Sequence, residues 1–305
     1  MLTKEQLEER RGYIGASDAA AVLGLSRWAT PLSVWAEKTG QFVPEDISER
    51  VSVKIGHKLE QAVAELFMEK TGKKVHRVNE TLFHPNHKFL ACNLDRRVVG
   101  ERAVLQCKTA SAWKADEWDG EEIPREYIIQ EMHELAVSGM DRAYIAVLIG
   151  NQDFKMRVIE RDENALSDMV RREVDFWENF VAPKVMPGVM SGDGDTLTKI
   201  FPVAEEGKEI ALDSEAAAIC EVLEGMSSDK GALERQIEEQ RNRLKKLLGV
   251  ADIGRVGPWK IKWGNVGGRF RAKELKEQMP DIYAKFKAKA TTRKLVIDRE
   301  ETKNG

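Results

Sequence analysis

Cysteine is nearly missing from this chain: there are three, Cys92, Cys107 and Cys220, at no paired spacing. That scarcity excludes a disulfide framework or a zinc knuckle and implies a reduced, cytosolic setting. No apolar run approaches the roughly 18 residues that a membrane span needs. The opening MLTKEQLEERR is polar and lacks the apolar segment of a secretory signal, so no membrane partner is expected. Repeats and low-complexity tracts are absent as well. A strong excess of one charge is also lacking, since 48 Lys and Arg face 51 Asp and Glu, for a net −3. The distribution says more. From 255 to 305, fourteen basic residues meet six acidic ones, a local +8 that leaves −11 on the remainder. A basic tail on an acidic body suits a polyanionic partner, and a solvated face has the same composition. With 305 residues, 42% of them apolar, there is enough material for one large core or two domains.

Periodicity then places the elements. Residues 3–11 read as a short polar helix, and Ser17-Asp18 stands as a cap before the apolar run AAAVLGL. A second helix follows Thr30-Pro31 and ends at Gly40. The clearest helix covers 56–71, where Leu59, Val63, Leu66 and Phe67 recur at helical spacing. Next, 74–83, 89–92, 96–99 and 103–109 read as strands. An amphipathic helix over 124–138 follows, then a hairpin joined through Asn151-Gln152 and a helix over 162–180. The expectation is a mixed α/β core over 1–182, with helices flanking a central sheet. A Pro/Gly-rich linker with a strand-like segment follows over 183–213. The region 214–305 is helical and basic, packed on the core or at a subunit interface. Within it 214–248 suggests a helical hairpin and 274–288 a short basic helix.

Chemistry concentrates in three stretches. Glu60 lies on the 56–71 helix, Asp95 ends ACNLD, and Gln106 and Lys108 lie in LQCKT. Residues i and i+2 of a strand share a face, so Gln106 and Lys108 point one way and Cys107 the other. Acidic residues beside a lysine on adjoining strands are what phosphodiester hydrolysis asks for: hard oxygen ligands for Mg2+, an activated water, and a cation for developing charge. By itself the spacing is weak, since a surface strand of alternating character has it too.

Five segments occurring in order over residues 10–150 sharpen the reading. RRGYIGASDAAAVLGLSRWATPLSVWAEKTG, GHKLEQAVAELF, ACNLD, LQCKT and YIIQEMHELAV together resemble the YqaJ-like viral recombinases, the family of phage lambda exonuclease. The resemblance implies a restriction-endonuclease-like, PD-(D/E)XK fold. It further implies an Mg2+-dependent 5′→3′ exonuclease acting on linear double-stranded DNA, with two metals, replaceable by Mn2+. Such an enzyme releases 5′-mononucleotides and leaves a 3′ single strand for a single-strand annealing protein in phage recombination, working as a ring-shaped homotrimer in the host cytosol. By the same resemblance Asp95, position 106, the Cys107 carbonyl and Glu60 would hold metal. Lys108 would be the catalytic lysine, Gln130 would orient it or the phosphate, and Arg10 with Ser17 would hold the terminal 5′-phosphate.

One departure stands out. The family expects glutamate where this chain has Gln106, which is isosteric but neutral. The implied consequence is a catalytically impaired protein, either naturally altered or made to trap substrate. Rival readings are a RecB-like or Cas4-like nuclease, the latter disfavoured by only three scattered cysteines, and a non-catalytic DNA-end-binding protein. Further DNA contacts are expected from Arg27, Trp28, Lys285, Lys287, Lys289, Arg293 and Lys294. Trp113 and Trp118 either stack on bases or pack in the core.

Overall fold

The computed structural model describes residues 4–43, 46–265, 267 and 271–286, which fall into two compact units that divide after Pro202. The first begins with α1 (Lys4–Arg11), β1 (Ile14–Gly15), α2 (Ala16–Val22), α3 (Pro31–Lys38) and α4 (Val51–Thr71). Strands β2 (Val75–Arg77), β3 (Thr81–Phe83), β4 (Leu90–Asn93), β5 (Arg96–Val98) and β6 (Ala103–Ala110) follow. A 3-10 segment over Ala112–Trp118 leads to α5 (Arg125–Ser138), β7 (Arg142–Ile149), β8 (Asp153–Glu160), α6 (Glu163–Phe176) and α7 (Gly194–Ile200).

The main sheet has the order β2-β5-β6-β7-β8. Only β6 and β7 are parallel, Lys108 lying beside Val147; a parallel pair needs a crossover, and α5 supplies it. Both central strands are covered on both faces. Ala103, Leu105, Tyr144 and Ala146 pack under Val63 and Phe67 of α4. On the other face Val104 joins Leu135 of α5 in the largest apolar cluster. This double cover explains why RAYIAVLI of β7 is almost continuously apolar. A second sheet, β1-β4-β3, sets β1 parallel to β4, with Ile14 beside Leu90 and Gly15 beside Ala91. Left-handed glycines end α4 and α5: Gly72 at φ 69° and Gly139 at φ 68°.

Several expectations need correction. The 74–83 stretch is two strands in different sheets, β2 pairing with β5 and β3 with β4. Helix α4 starts at Val51, a turn earlier than its apolar stripe shows. Ser17 does not cap α2. Gly15 is the N-cap, and the Asp18 carboxylate reaches back to accept the Gly15 N–H at 3.0 Å. Residues 183–202 belong to the first unit, where Asp193 is buried and accepts a hydrogen bond from Thr30 Oγ1.

In the second unit α8 (Ser214–Leu248) is one continuous helix, not a hairpin, capped by Asp213, whose carboxylate accepts the Glu215 and Ala216 N–H groups. No residue of α8 is buried. A hairpin of β9 (Ile253–Val256) and β10 (Trp259–Lys262) follows, then α9 (Ala272–Gln278) and α10 (Pro280–Phe286) in place of a single basic helix. Among the described residues no helix is long and apolar enough to cross a membrane.

Candidate active site

The site forms where the start of β5, the middle of β6 and the first turns of α5 meet. Asp95 stands just before β5, and its Oδ2 accepts the backbone N–H of Cys107 at 2.8 Å. That bond docks the carboxylate against β6 between Gln106 and Lys108. Burial raises the Asp95 carboxyl above its usual range; the Cys107 N–H opposes the rise and the negative charge of Glu60 adds to it. Lys108 Nζ donates to Gln130 Oε1 at 2.9 Å and lies 5.0 Å from the centre of the Tyr127 ring. Gln130 Nε2 in turn donates to Glu134 Oε1 at 3.1 Å. The lysine is thus aimed by a glutamine that is itself held by the next turn of the helix.

Gln106 is 6% exposed, and its Oε1 has no hydrogen-bond partner. Cys107 turns to the α4 layer, where burial pushes its thiol up to about 12. Glu60 reaches the neighbourhood, but its Oε1 takes Arg96 at 2.6 Å and Arg77 at 3.2 Å. Its charge is therefore shared with two guanidiniums, and any role as a direct metal ligand competes with them.

The sequence reading missed Glu131 and Glu134. Both are buried on α5, and both oxygens of Glu131 lack partners. Burial and the charge of Asp95 push Glu134 up to about 7. Burial and Glu134 push Glu131 up as well. The signal for them is helical spacing: Tyr127, Gln130, Glu131 and Glu134 stand at i, i+3, i+4 and i+7 of one helix face.

These oxygens suit a hard cation. Among the described residues no three His, Cys, Asp or Glu side chains form a ready cage. Mg2+, however, completes its shell with carbonyls, amides and water, and orphaned buried acceptors at Gln106 and Glu131 are what a cation would satisfy.

Arg10 Nη2 donates to Ser17 Oγ at 3.4 Å, and the Arg10 carbonyl accepts Lys38 Nζ at 2.9 Å. Both residues flank β1. Arg27 is already paired with Glu117 at 3.0 Å and Glu126 at 2.7 Å and lies 5.2 Å from the Trp28 ring. Trp28 and Trp113 are exposed, whereas Trp118 is buried and stacks on Tyr127. Lys285 is exposed on α10. Lys287, Lys289, Arg293 and Lys294 lie outside the described residues.

A parallel β6–β7 pair between α4 and α5, with Lys108 on β6 and the Asp95 carboxylate docked against it from the start of β5, defines a restriction-endonuclease-like core. Residues 5–141 match the YqaJ-like viral recombinase domain. Over 302 residues the chain is 37% identical to the protein YqaJ of Bacillus subtilis (strain 168), an alignment spanning 97% of this chain and 94% of that one. It therefore belongs to the YqaJ-like viral recombinase family. Its fold is also similar to that of an alkaline exonuclease, LHK-Exo, from Laribacter hongkongensis. The TM-score is 0.51 at 17% identity, over 60% of this chain and 94% of that one. A structure of LHK-Exo with dAMP gives a TM-score of 0.51, over 66% and 98%.

Proposed function

We propose that this protein is a divalent-metal-dependent exonuclease that digests one strand of linear double-stranded DNA from its 5′ end. The observation that carries the reading is the assembly of Asp95, Lys108 and Gln130 around the middle of β6, held by the 2.8 Å and 2.9 Å bonds described above. The LHK-Exo structures support it, since one is described as an alkaline exonuclease and the other holds a deoxynucleoside monophosphate, the class of product such a reaction releases.

In this reading Asp95, with Gln106 Oε1 and the Cys107 carbonyl, would hold Mg2+, for which Mn2+ is the softer substitute. When bound, two such ions supply an activated water and neutralise charge on the scissile phosphate. Lys108 stabilises charge at the attacked phosphate or holds the incoming water, and Gln130 keeps the ammonium in place. Arg10 and Ser17 seat the terminal 5′-phosphate, for which a guanidinium offers paired bonds. The product, a duplex with a 3′ single strand, suits a single-strand annealing protein as the next partner, with the reaction running in the bacterial cytosol.

Digestion of a 5′-phosphorylated linear duplex with Mg2+ tests this. The expected products are 5′-mononucleotides that accumulate from the 5′ end and vanish with EDTA or with Asp95→Asn. Tight binding of DNA ends without any digestion would instead support the end-binding reading that Gln106 suggests.

A further inference from the structure

The glutamine at 106 reads as a lost carboxylate, yet the crossover helix α5 carries two buried carboxylates, Glu131 and Glu134. Helix α5 runs antiparallel to β6, as any crossover between two parallel neighbours must. Lys108 meets Tyr127 and Gln130 of α5. Two residues back along the strand is about 6.6 Å, close to one helical turn of about 5.4 Å. The side chain before Lys108 on that face, Gln106, therefore falls against the next turn of α5, which carries Glu131 and Glu134. One step further back on that face, Val104 belongs to the same apolar cluster as Leu135.

On β6 and α5, three buried acceptor oxygens have no partner: Gln106 Oε1, Glu131 Oε1 and Glu131 Oε2. Glu131 is fully buried. A buried carboxylate without a donor is costly in a folded protein. The charges of Glu134, Lys108 and Asp95 all act on it. Glu134 already accepts from Gln130, so Glu131 is the acid left for another task.

We propose that Glu131 supplies from the helix the carboxylate that position 106 lacks on the strand, so that Asp95 and Glu131 hold the divalent cation from two sides. The inference rests on the nuclease reading above. Gln106 then contributes a neutral oxygen, and the impairment expected of it is offset by a ligand that moved from one element to the next.

Mn2+ binding to the full chain, followed by the loss of the free-ion signal in electron paramagnetic resonance, tests the assignment apart from activity. Removing a partner merely adjacent to a metal ligand costs about 10–100-fold in affinity. Glu131→Gln, which keeps the shape, is expected to weaken Mn2+ at least about tenfold, as is Asp95→Asn. The double variant Gln106→Glu with Glu131→Gln is expected to regain the lost affinity, which separates a lost ligand from a damaged fold. With EDTA present, the melting temperature of Glu131→Gln should hold or rise, since an unpartnered buried acid has been removed. If Glu131→Gln binds Mn2+ like the parent while Asp95→Asn does not, the proposal is overturned and the nuclease reading stands. A fall in melting temperature with EDTA, unrepaired in the double variant, marks Glu131 as structural and overturns it too. A parent chain that neither binds Mn2+ nor digests DNA defeats both readings.

Discussion

Arg10 Nη2 makes a long bond to Ser17 Oγ and its charge also acts on Asp18 beside the start of α2; as proposed, it is where a terminal phosphate would be held. Charge-assisted bonds to a phosphate contribute roughly 1.5–3 kcal/mol. Ends bearing a 5′-phosphate should therefore be digested at least about tenfold faster than hydroxyl ends, and Arg10→Ala should erase the difference. Equal initial rates on the two ends in the unmodified protein would remove Arg10 from the site. At the centre, Lys108→Ala should lower the digestion rate by about 10²–10³ while DNA-end binding persists, because affinity comes mostly from phosphate contacts elsewhere. Gel-shift and product assays on the same preparation separate the two effects. That Gln106 and Lys108 share a face was legible from a strand's period of two, while Gln130 beside Lys108 was read only from the ordered motifs. Glu131 and Glu134 were not legible. In IIQEMHELAV an acid normally reads as the solvated side of a helix, and nothing in the string says that this side is buried.

Asp18 joins three elements, accepting the Gly15 N–H that starts α2 and Lys38 Nζ from the end of α3 at 2.7 Å. Lys38 in turn reaches the last turn of α1 through the Arg10 carbonyl. Burial pushes the Asp18 carboxyl up, but the Lys38 ammonium outweighs it and the net lies below the usual range. A depressed folded value contributes stability that is present above the unfolded carboxylate range, near 3.9, and is lost as pH falls through the folded value. The α1–α3 corner should therefore hold at neutral pH and loosen only below about pH 4. Lys38→Met strands a buried carboxylate and should cost about 3–5 kcal/mol, read as a lowered urea midpoint at pH 7; an unchanged midpoint would mean that the pair is idle. At this scale the sequence located helices by their apolar stripe but misplaced ends and partners. The 74–83 alternation runs on while the chain changes sheets, since alternation records exposure and not which neighbour a strand bonds. In 214–248 there is no proline, and Gly225 and Gly231 stay helical inside α8, so the helix runs through instead of folding back.

The two units call for a prediction about assembly. We propose a ring of three chains around DNA, with the second unit available for contacts between subunits. Along α8, Ile219, Met226, Leu233 and Leu247 are exposed at heptad positions, a spacing that suits a partner helix. Light scattering at micromolar concentration should return three chains; a monomer would sink the ring. The first unit is also of a piece in a way that bears on how much strand is removed each time. β1 and β4 are neighbours on one ladder through Ile14–Leu90 and Gly15–Ala91. Arg10 and Ser17 flank the first strand and Asp95 follows the second, so the proposed end-binding pair and the proposed metal aspartate hang from the same rungs. Backbone rungs do not stretch. If Arg10 seats the end as proposed, these rungs set a fixed gauge, and each cut should trim the same length however long the duplex behind it.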